Sequence, residues 1–155
     1  GSLHFDESLL DLQKAHVTNS DVAPRIASDF PVEKFTVDTV AIDSCMSQLG
    51  VTQVDFVKMD IEGAEMGALR GMRGIIAASP KLNLVMEYNP QALKAFDVDP
   101  QSAIDEVLGM GFDRVAIVQD DGSLQDITGD AAAISTLTSR LMTHMDVVNL
   151  LFAHN

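Results

Sequence analysis

The sequence holds a single cysteine, Cys45. No internal disulfide can form, and a lone thiol fits a reducing cytoplasm. Basic residues are also scarce: ten Lys and Arg stand against 23 Asp and Glu, for a formal net charge of −13. A chain this acidic repels phosphate backbones and anionic lipid surfaces. Its few cations are scattered, so neither nucleic acid nor a membrane is an expected partner. No apolar run approaches the roughly 18 residues a membrane span needs. The polar residues after Gly1-Ser2 do not form a secretory signal peptide.

Other absences narrow the chemistry. His4, His16, His144 and His154 have no ligand spacing such as HxxxH, so no metal centre is expected from them. No GxSxG elbow is present, and no GxxxxGK[ST] phosphate loop. Cys45 has no evident activating partner and reads as an inert thiol. Asp120-Asp121-Gly122 opens like a calcium loop, but the later ligands are missing. A hairpin turn is the expectation there.

What is present suits one folded domain. The 155 residues are 46% hydrophobic and 21% charged, ordinary values for a globular chain with one core. Residues 1–34 are the least regular part, with a short helix expected over Ser8–Lys14 and a loop over Thr18–Ser28. The single α/β domain is expected over 35–155. Phe35–Val37 reads as a strand and Asp38–Leu49 as a helix stopped by Gly50. Val54–Met59 is a strand, Gly63–Ile76 a helix and Leu82–Tyr88 a second, nearly all-apolar strand. Asp99-Pro100 opens a helix, with Asp at the cap and Pro in the first turn. Arg114–Val118 is a strand and Leu124–Ile127 its hairpin partner. Ala131–Met142 is a helix and Val147–Phe152 the last strand. Strands alternating with helices predict βαβ units and a mainly parallel sheet with flanking helices. Near-continuous apolar strands predict that both of its faces are covered.

Ligands of such sheets bind beyond the carboxyl ends of the strands. One end here reads Lys58-Met59-Asp60-Ile61-Glu62-Gly63-Ala64-Glu65, and another Glu87-Tyr88-Asn89-Pro90. If the two strands are neighbours, Asp60, Glu62 and Glu87 crowd one rim, with Lys58 on the same face as Asp60. Three close carboxylates call for a metal, a lysine or a cationic ligand. One of them is also able to serve as a general base toward a hydroxyl. The plainer alternative keeps Glu62 and Glu65 as favourable charges at a helix start, with Lys58 as an ion-pair partner. For Asp60 and Glu62 the two readings are evenly balanced. For Glu65 the structural role is preferred, and Gly63 serves a tight strand-to-helix turn.

The run Val54–Glu65, with Lys58-x-Asp60-x-Glu62-Gly63-x-Glu65 at its centre and Leu69-x-Gly71 after it, resembles the signature of the FkbM family of methyltransferases. Leu82–Glu87 is similar to the family's next strand, which closes on Glu, and Asn149–Phe152 to its short last strand. The resemblance implies the C-terminal half of a class I (Rossmann-like) methyltransferase fold, strands four to seven of seven, with the last strand antiparallel. It implies S-adenosylmethionine as cofactor and O-methylation of a sugar or natural-product hydroxyl, a small-molecule acceptor. It places Lys58, Asp60, Glu62, Glu65 and Glu87 facing the active-site cleft, with Lys58, Asp60, Glu62 and Glu87 as the catalytic candidates and Asp60 and Glu62 toward the cofactor.

The sequence departs from the family at the cofactor loop. An Asp-x-Gly-Ala-x-x-Gly type turn is expected after the first strand, yet no glycine lies between Gly1 and Gly50. Backbone without glycine cannot approach a cofactor as closely. The expectation is therefore a partial methyltransferase domain that holds its cofactor weakly. The competing expectation is a non-catalytic α/β half-domain used for dimerisation. Val54–Met59 would then offer a bare apolar edge to a second copy, unless residues 1–53 cover it. A magnesium-dependent variant on Asp60 and Glu87 carries less weight, because no third ligand is evident in the sequence.

Overall fold

Asn89-Pro90 and Asp99-Pro100 each place a capping side chain before a proline. Both start helices in the computed structural model, which describes residues 2–8, 16–19 and 32–154, with side chains from Asp38 onward. Asn89 Oδ1 accepts from the Ala92 N–H at 3.1 Å and opens α4, Pro90–Ala95. Asp99 Oδ2 accepts from Ser102 N–H at 2.9 Å and opens α5, Pro100–Leu108. Proline has no N–H to lose at the first helical position, and its fixed φ suits the turn. The first of these helices was missed in the sequence, though its signal equals that of the second.

The other elements are β1 (Ser2–Ser8), β2 (His16–Asn19), β3 (Val32–Asp38) and α1 (Ile42–Leu49). Then come β4 (Phe56–Met59), α2 (Glu65–Arg70), α3 (Arg73–Ala78) and β5 (Asn83–Tyr88). The chain ends with β6 (Arg114–Val118), β7 (Leu124–Asp126), α6 (Ala131–His144) and β8 (Val148–Ala153). Strands β2-β1-β3 form an antiparallel sheet of their own. β1 and β2 leave little mark in the apolar pattern, because Leu3 and Phe5 are the only apolar residues of β1. Residues 9–14 of the expected short helix, and 20–28 of the expected loop, lie outside the described residues.

The second sheet is mixed, in the order β4-β5-β8-β6-β7. Only β4–β5 is a parallel pair; β5–β8, β6–β8 and β6–β7 are antiparallel. The expected mainly parallel sheet is therefore corrected, while the expected antiparallel last strand is found. The crossovers do keep β4, β5 and β6 running the same way, as the alternation of strands and helices requires. The last strand then inserts between β5 and β6 and makes all of its own contacts antiparallel. Periodicity reports an element's type, not where it enters a sheet.

Burial alternates along β5 and β8. Leu84, Met86, Tyr88, Leu150 and Phe152 are fully buried and join the core with Val115, Ile117 and Met59. Each such side chain contributes roughly 1.5–3 kcal/mol. Helices α2 to α6 supply the rest of that core, including Leu69, Ile76, Leu93, Ile104, Val107, Leu137 and Leu141. On the opposite face Val85, Glu87, Asn149 and Leu151 are only half-buried. The expected cover on both faces is thus complete on one. Tyr88 ties the layers together: its hydroxyl donates to Pro100 O at 3.1 Å and shares a 2.8 Å bond with Thr138 Oγ1. Burial pushes its pKa up to about 12, against the lowering effect of the Thr138 bond.

The single helix expected over Gly63–Ile76 is two helices, broken at Gly71-Met72. The break has a distant cause. Asp43 of α1 accepts from the N–H groups of Gly74 and Ile75, each at 2.8 Å. It thereby caps α3, whose own N-cap residue Met72 makes no side-chain cap bond. Its backbone N–H donates in turn to Gly71 O at 2.9 Å. Capping carboxylates are worth about 0.5–2 kcal/mol, and this one also binds α1 to the sheet domain. Asp43→Ala is expected to lower stability by about 1–2 kcal/mol. A shift in the urea midpoint at unchanged slope would measure it. An unchanged midpoint would show the cap to be idle.

Candidate functional site

The rim is built by two strand ends that parallel pairing places side by side. Lys58 pairs with Val85 and Met59 with Met86, so Asp60 and Glu87 follow as neighbours on one face. Carboxylate oxygens of Asp60, Glu62 and Glu87 all lie within 4.8 Å of one another. Lys58 Nζ reaches Asp60 Oδ2 at 3.3 Å. Both of these side chains are nearly half exposed, so the pair adds little stability. The four residues singled out from the sequence are thus gathered at one place.

The turn after β4 is held in a conformation few residues adopt. Glu62 has φ 57° and Gly63 φ 102°. For glutamate the left-handed region costs about 1–2 kcal/mol. Gly63 is required twice over: a Cβ there would lie 2.7 Å from the Ala92 carbonyl oxygen, against the backbone of α4. Glu65 sits inside the turn. It is 2% exposed, and its Oε1 accepts from the Ile61 N–H at 3.1 Å. Its place is therefore to close the loop that carries Glu62, while Asp60, Glu62 and Glu87 face each other.

The electrostatics of the rim converge on Glu87. Burial, then the charges of Asp60, Glu62 and Glu65, raise its pKa from 4.5 to about 7, against the opposing pull of Lys58. A carboxyl titrating near neutrality can accept or release a proton under physiological conditions. The three carboxylates offer a hard, anionic donor set. That suits the ammonium or sulfonium group of an organic ligand, or a divalent cation. The sequence grouped all three carboxylates at one rim and named Asp60 and Glu87 alone for a magnesium ion; the left-handed turn brings Glu62 within the same reach as a third.

Two clefts open among the described residues, and one of them reaches the rim. One, of about 620 Å³ and largely apolar, reaches it through Ile61 and Gly63. The other, of about 640 Å³ and largely polar, lies at the carboxyl end of β6 and includes Asn149. Asn149 pairs with Glu87 across β5–β8, and its Oδ1 is buried with no hydrogen-bond donor. Sequence reasoning did not single it out. The available signal was a polar residue inside the apolar run Val147–Phe152.

Glu87 resists ionising in the folded chain and ionises freely in the unfolded one. Below pH 4.5 the carboxyl is protonated in both states. As pH rises, stability is lost progressively until about 7 and by a constant amount above it. Glu87→Gln stays neutral throughout. It is expected to match the parent chain below 4.5 and to melt a few degrees higher above 7. Parallel melting curves across this range would refute the raised pKa.

No curated protein and no solved structure matches the chain significantly. No helix among the described residues is long and apolar enough to cross a membrane. The profile of the Methyltransferase FkbM domain matches residues 4–114. That span takes in β1 to β5 and the turn with its carboxylates, and stops at the first residue of β6. The sequence likeness drawn for the last strand thus falls outside the matched region. With Lys58-x-Asp60-x-Glu62-Gly63-x-Glu65 at a strand-to-helix junction, and the match covering most of its length, the chain belongs to the FkbM methyltransferase domain family.

Proposed function

We propose that this chain carries the catalytic rim of an S-adenosylmethionine-dependent O-methyltransferase acting on a small-molecule hydroxyl, of a sugar or natural product. The observation that carries the reading is the convergence of Asp60, Glu62 and Glu87 within 4.8 Å. Mutual repulsion of that kind is relieved by a cationic ligand. S-adenosylmethionine, when bound, supplies an electrophilic methyl group on a sulfonium and also bears an ammonium group. Asp60 and Glu62 would hold this cationic end. Glu87, when ionised, takes the proton from the acceptor hydroxyl at its carboxylate, so the reaction gains rate as pH rises through about 7. Lys58 holds the Asp60 carboxylate in place through their 3.3 Å contact.

The order β4-β5-β8-β6, with β8 reversed, supports reading these strands as four to seven of a class I, Rossmann-like sheet. The residues fit the cationic end of the cofactor. They offer no glycine turn for its ribose, since none lies between Gly1 and Gly50. Lone Cys45 suits a cytoplasmic setting. S-adenosylhomocysteine retains the ammonium group and tests the rim by calorimetric titration. Weak binding is expected, and it should disappear in the double variant Asp60→Asn, Glu62→Gln. Absence of heat at millimolar ligand would remove the rim as a cofactor site in this chain.

A second reading, a homodimer built on the sheet edge, is favoured by one observation. β4 is an outer strand of its sheet and Phe56 on it is 61% exposed. Such an edge is a template for pairing with another chain. Sedimentation velocity is expected to show a concentration-dependent dimer that Phe56→Lys converts to monomer. A monomer at every concentration would reject this reading and leave the enzymatic one untouched.

A further inference from the structure

We propose that Asn149 is the positioning residue of Glu87: its side-chain oxygen accepts a hydrogen bond from the protonated Glu87 carboxyl and so fixes where the rim keeps its proton. The pair depends on the methyltransferase reading for its use, though not for its geometry. β5 lies between β4 and β8. Glu87 therefore has carboxylate oxygens of Asp60 and Glu62 within 4.8 Å on its β4 side, and Asn149 directly opposite on β8. Directly opposed side chains of an antiparallel pair share a face, with Cβ atoms about 4.5–5.5 Å apart. The long glutamate side chain spans that gap. One carboxyl oxygen of Glu87 is engaged with the carboxylates, which leaves the other for β8.

Asn149 is the one polar residue of β8, Val148–Ala153, and its Oδ1 is buried from solvent with no donor. Buried polar atoms in native proteins are nearly always paired, and an unmet acceptor is costly. A solvent-shielded oxygen has to find its donor inside the fold. Its cross-strand neighbours are Glu87 on β5 and Val118 on β6. Valine has no polar atom. Lys58, the cation of the rim, is turned to Asp60 Oδ2 at 3.3 Å and Met59 O at 3.4 Å. Glu87 remains, and a carboxyl donates only in its protonated form. Glu87 is the carboxyl that keeps its proton longest: burial first, then the charges of Asp60, Glu62 and Glu65, outweigh Lys58 and raise its pKa to about 7. An acceptor without a donor thus stands opposite an acid that holds its proton, and one bond accounts for both.

This bond gives the proposed base a direction. In the reaction the proton leaves the acceptor hydroxyl, its bonding electron pair stays on the acceptor oxygen, and an O–H bond forms on Glu87. Asn149 Oδ1 then receives that O–H and draws it to the β8 side, so the proton is held away from the acceptor oxygen. The amide also suits the ionised state. Half a turn about its last torsion replaces the carbonyl oxygen by the amine, which donates to a carboxylate. An apolar residue at 149 would pack in the strand equally well but hold Glu87 in neither state.

Infrared spectroscopy of the whole chain tests the bond directly. On the acid side of Glu87's ionisation at about 7, the carbonyl stretch of its protonated carboxyl is assigned by its loss in Glu87→Gln. Donating a hydrogen bond lowers that frequency. In Asn149→Leu, similar in size and without a polar atom, the band is expected to move to higher frequency. A second measurement needs no change at residue 149. In the chain labelled with ¹³C and ¹⁵N, the side-chain amide signals of Asn149 are expected to shift with the same midpoint as the Glu87 carboxyl carbon. They should stay constant over that range in Glu87→Gln, which keeps a permanent donor. An unmoved band in a folded Asn149→Leu overturns the proposal, and so do Asn149 signals that stay constant while Glu87 ionises; if the leucine variant does not fold, the labelled chain decides. Titration of the labelled sample with S-adenosylhomocysteine separates the two claims. Silence at Asp60 and Glu62 with Asn149 and Glu87 still coupled removes the methyltransferase reading and keeps the pair. A response there with Asn149 uncoupled removes the pair and keeps that reading.

Discussion

The close approach of Gly63 to the Ala92 carbonyl is the constraint on which the site depends. With no Cβ at residue 63, the turn after β4 packs directly on the backbone of α4. A single residue, the cap Asn89, separates the end of β5 from the start of that helix, so its position is set by the end of β5. The turn after one strand is thereby registered against the end of the next. Glu62, at φ 57°, is carried inward by this packing and reaches Asp60 and Glu87. The strain is held by the Ile61–Glu65 bond and by the buried helix α2 that follows. Backbone strain of this kind persists only where the surroundings over-determine it.

Much of the rim was legible because it depends on local order. Asp60, Glu62, Gly63 and Glu65 stand at fixed spacing on one strand-to-helix junction. Glu87 closes an apolar strand, and a parallel neighbour is all that is needed to unite them. Cap and proline pairs likewise fixed α5, and apolar spacing fixed α6. What stayed hidden depends on residues far apart in the chain. The break between α2 and α3 is made by Asp43, 31 residues before Gly74. The entry of β8 between β5 and β6 has no local signature, yet it sets the mixed character of the sheet and delivers Asn149 to Glu87. β1 and β2 escaped notice for a different reason: few apolar residues mark them.

Glu87 shows how stability and function oppose each other at the rim. Its raised pKa means that ionisation weakens the fold over the same interval, from 4.5 to about 7, in which the carboxylate becomes able to take a proton. Elsewhere the charges are arranged conservatively. Arg70 forks onto Glu106 at 2.8 and 2.7 Å with Arg73 beside it, and Arg114 meets Asp126 at 2.7 Å. These exposed pairs hold neighbouring elements together at little expense in desolvation. Against this pattern the chain gathers three carboxylates at one point, beside Lys58.

That contrast bears on the choice between an enzyme and an interaction module. A dimer made through the β4 edge would use main-chain groups and the Phe56 side chain. It would gain nothing from carboxylates on the sheet's rim, nor from a glutamate held in a left-handed turn. Both features carry an energetic penalty in the isolated chain. Marginally stable domains retain such penalties where binding or chemistry returns them. The edge and the rim are also compatible: one lies along the side of β4 and the other at its end. A second chain, or a further stretch of sheet, can therefore pair with β4 and leave Asp60, Glu62 and Glu87 open to a ligand. Pairing at the edge would extend the sheet beside the rim without touching its carboxylates, so the two readings do not compete for the same residues.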